Sequence, residues 1–142
     1  MSRRFRSGFP LAELALFADS GKAELHRASG LLTPVTLGAG KVLMRQGSVG
    51  NEFLIIADGL VDVTREDDRD EAVLAVVTAG DVLGEMSLLH RLPRSATATT
   101  RVPTTVYAAT PREFFALMEA VPSAAEHIVE AATARRLANQ AA

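Results

Sequence analysis

Residues 80–97 read GDVLGEMSLLHRLPRSAT and carry the most distinctive pattern in this chain of 142 residues. A Gly-Glu pair leads into a short apolar run that favours a helical turn, and a Pro-Arg-Ser sequence then leads directly into a strand-like run. This layout places Glu85 and Arg94 beside apolar core residues. Because a buried charge is costly unless it is paired, the segment predicts either an ion pair between these two groups or a site for a charged ligand.

A ligand that carries a phosphate and a sugar would satisfy both charged groups. The Glu85 carboxylate can accept hydrogen bonds from ribose hydroxyls, and the Arg94 guanidinium matches a phosphate with two parallel bonds. Ser95 adds a hydroxyl next to Arg94. The backbone amides of residues 83–87, at the start of the short helix, can point at the same anion. An internal ion pair between Glu85 and Arg94 stays open as the alternative.

Short runs rich in Val, Ile, Leu and Thr alternate with glycines between residues 33 and 110, which is typical of short strands joined by turns. The seven consecutive charged residues 65–71 cannot lie in a core and are predicted to form a solvated hairpin tip. The pattern predicts strands over residues 35–37, 42–45, 52–58, 60–65, 72–77, 96–100 and 105–110.

Helices are expected on both sides of these strands. Apolar residues at roughly helical spacing predict a helix between Asp19 and Leu32, with Asp19 or Ser20 as its N-cap. Pro111 suits the first position of a second helix, and Pro122 separates that helix from a last one over about residues 123–137. The predicted fold class is mainly β: a small β-roll, jelly-roll-like, or a sandwich of about eight short strands over about residues 33–110, with N-terminal helices and two C-terminal helices over about 111–137.

The composition narrows the possible functions. With 48% hydrophobic and 23% charged residues, residues 1–142 fit a single globular domain. The chain has no Cys and three widely spaced His, which excludes disulfides and Cys nucleophiles and argues against a metal enzyme of the cupin type. A net charge of −2 argues against a nucleic-acid surface that depends on bulk charge. We expect no enzymatic activity, no metal and no cofactor.

A targeting or membrane segment is not expected either. The longest charge-free run, residues 28–40, contains Pro34 and three glycines, whereas a spanning helix needs roughly 18 apolar residues. The Arg3-Arg4 pair suggests a twin-arginine signal, but Glu13 interrupts the apolar stretch that follows. The expected location is the cytoplasm, although a soluble domain taken from a membrane protein would show the same sequence features.

The segments Gly84–Leu89 and Pro93–Thr97 together resemble the phosphate-binding cassette of cyclic nucleotide-binding domains. These domains are the sensory modules of catabolite activator protein, protein kinase A regulatory subunits and cyclic-nucleotide-gated channels. The resemblance extends through residues 46–63 and, with the layout of helices and strands, covers about residues 17–137. It implies an eight-stranded antiparallel β-roll whose ligand is cAMP or cGMP.

The resemblance also implies roles for single residues of the cassette. Glu85 lies where the family's glutamate holds the ribose 2′-hydroxyl, and Arg94 lies where its arginine neutralises the cyclic phosphate. Gly84 lies where the backbone approaches the ligand closely. Ser95 occupies a position that helps to set the choice of purine, and serine there settles neither cAMP nor cGMP. The other candidate ligand-binding residues of the segment are Leu83, Met86, Ser87 and Ala96.

The last predicted helix has its own candidate residues. Ile128, Ala132 and Arg135 share one helical face. In the family this helix covers the base as a lid, which implies that Ile128 caps the purine and that Arg135, or less strongly Arg136, stacks on it or hydrogen-bonds to it. From the residues alone, Ile128 packing on the roll and a solvated Arg135 are equally compatible.

These features favour a cyclic nucleotide sensor that signals by a shift between two states of the last helix. The alternatives are the sensor half of a Crp/Fnr-type transcription regulator or of an ion channel, and a degenerate roll that serves as a docking module. The sequence ends at Ala142, about five residues past the predicted helix, so we expect no direct nucleic-acid contact from this chain. The expected partner is a cyclic mononucleotide, and the effector domain or partner protein stays open.

Overall fold

Two antiparallel sheets of four strands each form the centre of the molecule. The computed structural model describes residues 11–49, 51–66 and 71–141, with residues 71–74 and 135–141 described by their backbone alone. The strands are β1 (Thr33–Leu37), β2 (Val42–Met44), β3 (Phe53–Asp58), β4 (Leu60–Glu66), β5 (Glu71–Thr78), β6 (Val82–Leu83), β7 (Thr97–Thr100) and β8 (Thr104–Ala109).

One sheet has the strand order β1-β8-β3-β6, and the other has the order β2-β7-β4-β5. The prediction of a mainly β fold with about eight antiparallel strands is confirmed. All seven predicted strands are present with ends within two residues of those predicted. Only β6 had no predicted counterpart, and it consists of two residues that pair with Leu54 and Ile55 of β3.

The strand β3 separates two hydrophobic cores. Its side chains alternate between the faces of the sheet. Phe53 and Ile55 belong to the core between the sheet and the helices, while Leu54 and Ile56 belong to the core between the two sheets. All four are buried. Covering on both faces explains why this strand reads as a continuous apolar run rather than an alternating one.

The N-terminal part consists of two short 3₁₀ helices (Leu11–Glu13 and Ala15–Phe17) followed by α1 (Lys22–Leu31). The predicted N-cap, Asp19 or Ser20, is wrong, because α1 starts one residue after Gly21. The backbone N–H of Gly21 donates to Oε1 of Glu24 at 2.9 Å. The Ser20 hydroxyl is instead hydrogen-bonded to the Ser123 hydroxyl at 3.3 Å.

Three further helices follow in the part of the chain that the structure describes: α2 (Glu85–His90), α3 (Pro111–Ala120) and α4 (Pro122–Ala141). Pro111 begins α3 as predicted. Thr110 caps this helix, since its hydroxyl accepts from the N–H of Glu113 at 3.1 Å and its own N–H donates to the Glu113 carboxylate at 2.9 Å. A reciprocal pair of this kind stabilises a helix start by roughly 1 kcal/mol.

The last helix is longer than the predicted 123–137 and packs against α2, α3 and the second 3₁₀ helix. Val121 between α3 and α4 has a non-helical backbone, with φ −132° and ψ 79°. A residue before proline avoids the helical conformation for steric reasons, which explains why the two helices do not merge. Within the described ranges, the helices are too short or too polar to cross a lipid bilayer.

Candidate functional site

The segment from β6 to β7 forms a turn, a short helix and a loop around Gly84. Gly84 has φ +92°, a conformation that favours glycine. A Cβ at this position would collide with the main-chain oxygen of Glu52 and would lie 2.6 Å from Nη1 of Arg94. The position therefore requires glycine for its backbone angle and for the close approach of two neighbours.

The two charged groups that the sequence singles out in this segment are buried, as predicted. Glu85 at the start of α2 is 0% exposed, and Arg94 is 7% exposed. The Ser87 side chain is also buried, whereas Ser95 is exposed. The molecule therefore places an acidic and a basic side chain inside an otherwise apolar region, where charges are costly unless something compensates them.

The backbone and one side of the Arg94 guanidinium are firmly held. The Arg94 N–H donates to the Ser48 carbonyl at 2.8 Å, and the Gly47 N–H donates to the Arg94 carbonyl at 2.8 Å. Nη2 of Arg94 donates to the Glu52 main-chain oxygen at 2.9 Å. Nη1 is buried and has no hydrogen-bond partner among the residues that the structure describes. A buried donor without a partner costs about 1–3 kcal/mol, and more when it is charged.

Two nearby carboxylates partly offset the effect of burial on Arg94. Burial lowers the pKa of the Arg94 guanidinium, and the nearby carboxylates of Glu52 and Glu85 act in the opposite direction. An arginine is not deprotonated at neutral pH. Glu85 thus attracts Arg94, but this attraction leaves Nη1 unsatisfied. The internal ion pair, the alternative from the sequence, does not complete the site by itself.

A cavity of about 270 Å³ opens on this segment. The structure brings the eight candidate residues of the cassette together on its lining, namely Leu83, Gly84, Glu85, Met86, Ser87, Arg94, Ser95 and Ala96. Clustering of these residues is what a common ligand site requires.

The candidate residues of the last helix are placed differently. Ile128 is fully buried in the core between the helices and the first sheet, and the structure does not bring it to the cavity. The side chains of Arg135 and Arg136 lie outside the described residues. Of the α4 side chains that are described, none lines the cavity.

Sequence reasoning missed a second wall of the cavity, which includes Met44 and parts of β4 and β5. Its residues are Met44, Val63, Arg65, Ala75 and Val77. Arg65 was predicted both as the end of the strand 60–65 and as the start of a solvated hairpin tip. The strand assignment is confirmed. The solvated-tip assignment is wrong for this residue, because it is half-buried and lines the cavity. The sequence contains a signal for this position, because Val61, Val63 and Arg65 are two residues apart and therefore lie on the same face of the strand. Residues 67–70 of the predicted tip lie outside the described residues.

The segment 46–48 connects the end of β4 to the loop that carries Arg94. The Gln46 side chain donates from Nε2 to the Glu66 carbonyl at 2.9 Å and accepts from the Glu66 N–H at 2.7 Å. The Gln46 N–H donates to the Thr97 hydroxyl at 3.0 Å. Together with the bonds of Gly47 and Ser48 to Arg94, these contacts fix the end of β4 relative to the loop between α2 and β7 that carries Arg94.

Comparisons with known proteins agree with this geometry. Residues 34–121 match the family model described as "Cyclic nucleotide-binding domain". The chain is 32% identical over 87 residues to a cAMP-dependent protein kinase regulatory subunit from Schizosaccharomyces pombe, covering 61% of this chain and 20% of that protein. It is 32% identical over 126 residues to a cyclic nucleotide-gated potassium channel from Rhizobium etli, covering 89% of this chain and 34% of that protein.

Among solved structures, Thermus thermophilus catabolite activator protein is similar, with a TM-score of 0.76 and 31% sequence identity. This similarity covers 88% of this chain and 59% of that chain. The first three curated relatives are much longer proteins, of which the chain spans between 20% and 34%. The matches therefore concern one domain of each relative.

Proposed function

Because this chain belongs to the cyclic nucleotide-binding domain family, we propose that it binds a cyclic mononucleotide, cAMP or cGMP, and reports its presence through the C-terminal helix. The observation that carries this proposal is the buried Nη1 of Arg94, which has no hydrogen-bond partner among the described residues. An anion bound beside it would satisfy that donor and compensate the buried cation.

The phosphate is the group that fits Arg94 best. A guanidinium offers two parallel N–H donors to two phosphate oxygens. Nη2 is oriented by the Glu52 carbonyl, so the plane of the guanidinium is set before a ligand arrives. Gly84 supports this role, because its missing side chain leaves room next to Nη1. The Ser95 hydroxyl on the cavity lining can add a further hydrogen bond.

The sugar is proposed to bind Glu85. Its carboxylate lies at the first residue of α2, close enough to Arg94 for a mutual electrostatic effect. A ribose hydroxyl is a donor and a carboxylate accepts only, so their hydrogen bond needs no proton transfer. In this arrangement, the phosphate of a cyclic nucleotide binds Arg94 and its ribose binds the neighbouring Glu85.

The base is proposed to lie against the apolar part of the cavity. Val63, Ala75, Val77, Leu83 and Met86 line it. The volume of about 270 Å³ lies near the lower end of the roughly 300–1,000 Å³ that is usual for small-molecule sites. A single nucleotide is a ligand of matching size and polarity, with one charged end and one flat apolar end.

The proposed signal passes from α2 to α4. These two helices pack against each other, and Leu88 and Leu89 of α2 pack on the core that contains Ile128. A ligand that repositions the start of α2 therefore changes the packing surface of α4. The ligand shifts the two states only as far as its affinities for them differ.

The proposed lid function of α4 requires the helix to move. Ile128 is buried away from the cavity in this structure, so capping of the base by Ile128, with stacking or hydrogen bonding by Arg135, belongs to the ligand-bound state of the proposal. The role proposed is sensing without catalysis, cofactor or direct nucleic-acid contact. Its output would go to a further domain or to a partner protein, as in a transcription regulator or a channel.

Thermal unfolding with cAMP, cGMP and the non-cyclic 5′-monophosphates tests the proposal. A ligand that binds only the native state raises the melting temperature in proportion to the logarithm of its concentration. We expect one or both cyclic nucleotides to raise it and the 5′-monophosphates to have little effect. Absence of any shift with cAMP and cGMP at millimolar concentration would overturn the sensor function and favour a docking module.

A further inference from the structure

A second guanidinium, Arg65 at the end of β4, lines the cavity on the wall that Met44, β4 and β5 form. We propose that Arg65 contacts the base of the bound nucleotide and favours guanine over adenine. This inference rests on the proposed function, because it assigns specificity to the same site. It concerns a residue outside the segment 83–96 that holds the phosphate and the sugar.

The position of Arg65 follows from the alternation of β4. Side chains two residues apart point to the same face of a strand. Val61 is fully buried between the sheets, and Val63 and Arg65 continue this face along the cavity wall. Arg65 is half-buried, and it stands at the end of the wall that is next to the hairpin.

Arg65 supplies the polar chemistry of this wall. The other described lining residues outside the segment 83–96 are apolar, namely Met44, Val63, Ala75 and Val77. Since the segment 83–96 is proposed to hold phosphate and ribose, the base extends toward these residues. A hydrogen bond from the described part of this wall to a base edge would therefore come from Arg65.

The chemistry of the guanidinium determines which base it favours. Arginine has five N–H donors and no acceptor. Guanine presents two neighbouring acceptors, O6 and N7, whereas adenine presents the acceptor N7 beside the N6 amino donor. Arg65 can form two bonds with guanine and one with adenine, where the second N–H would face another donor. A bidentate contact of this type discriminates between bases by about tenfold or more.

The backbone of Arg65 is fixed relative to the phosphate site. The next residue, Glu66, is bonded at both its N–H and its carbonyl to the Gln46 side chain. The backbone of Gln46 is bonded in turn to Thr97, and Gly47 is bonded to Arg94. A residue that recognises a base needs such a rigid support, because a misplaced guanidinium loses its second hydrogen bond to the base.

Isothermal titration of the wild-type chain, Arg65→Ala and Arg65→Lys with cAMP and cGMP tests the inference. Lysine keeps the charge but lacks the planar fork. We expect the ratio of the cAMP to the cGMP dissociation constant to fall about tenfold or more in both variants. Arg112→Ala removes an exposed arginine from α3 with the same change in net charge, and it should leave the ratio unchanged.

The outcomes separate this inference from the proposed function. Equal weakening of cAMP and cGMP in Arg65→Ala would mean that Arg65 only attracts the phosphate, and this would overturn base recognition. An unchanged ratio with unchanged affinities would overturn it as well. If the wild-type chain binds neither nucleotide, the proposed function itself fails. Should Arg65→Ala unfold, the lysine variant still gives the ratio.

Discussion

Arg94 donates from Nη2 to the main-chain oxygen of Glu52 at 2.9 Å. Its other terminal nitrogen is buried without a hydrogen-bond partner among the described residues. The contact with Glu52 therefore orients the guanidinium and leaves the N–H groups of Nη1 available for an anion. A side chain that is oriented before binding loses less conformational freedom when the ligand arrives, so this relationship contributes to affinity as well as to position.

Gly84→Ala should weaken both stability and nucleotide binding. The left-handed backbone costs a side chain about 1–2 kcal/mol, and the new Cβ would additionally collide with the Glu52 oxygen and crowd Nη1 of Arg94. Gly80→Ala is the matched control, since Gly80 has nearly the same φ of +93° but no atom within 4 Å of a built Cβ.

We expect Gly80→Ala to lose about 1–2 kcal/mol of unfolding free energy with normal nucleotide affinity. Gly84→Ala should lose more stability and most of the affinity. Chemical denaturation and calorimetric titration measure the two quantities. Equal behaviour of the two variants would show that close approach at Gly84 has no role.

Tyr107→Phe should gain stability relative to wild type at alkaline pH. Burial raises the pKa of the Tyr107 phenol. The unfolded chain therefore releases this proton at about pH 10, below the pH at which the folded chain does. The stabilising effect of the neutral phenol is fully present below that pH and is lost as the pH rises through the folded-state pKa.

The measurement is the free energy of unfolding of wild type and Tyr107→Phe between pH 8 and pH 11. We expect the difference between the two values to begin to change at about pH 10. The difference between the two proteins should be constant at the lower pH values. Above the onset it should change in favour of the phenylalanine variant. Parallel curves over the whole range would contradict the assigned effect of burial.

Cyclic nucleotide should change amide hydrogen exchange in α4. The helix α2 carries Glu85 and packs on α4, whereas α1 packs mainly on α3 and serves as an internal control. Because exchange reports local opening, peptides from α4 should change on addition of a saturating nucleotide, and peptides from α1 should change less. Exchange in α4 that is identical with and without bound ligand would contradict signalling through this helix.

Local signals predicted several parts of the structure well. Pro111 predicted the start of α3 correctly, and the structure adds a reciprocal cap between Thr110 and Glu113. The strands were predicted because glycines and apolar runs mark their ends. The candidate residues from Leu83 to Ala96 could be grouped because they are close in sequence and resemble a known cassette.

Other parts depend on contacts that a local pattern does not contain. Ser20 looked like an N-cap, but its hydroxyl bonds Ser123, which lies 103 residues away in the sequence. The strand β6 has two residues and exists through its pairing with β3. Arg65 was predicted both as a strand end and as part of the charged tip. The alternation with Val61 and Val63 indicates its strand face, but the cavity that this face lines depends on the pairing of β4 with β5 and β7.

Calorimetric titration of wild type and Arg94→Ala with cAMP and cGMP is the most direct measurement of whether this chain is a nucleotide sensor. We expect wild type to bind at least one of them, and Arg94→Ala to weaken that binding by about 30-fold or more, since the phosphate would lose its buried cation. Arg112→Ala, which removes an exposed arginine, should bind like wild type. Near-normal affinity in Arg94→Ala, or no binding by wild type, would contradict the proposed phosphate site.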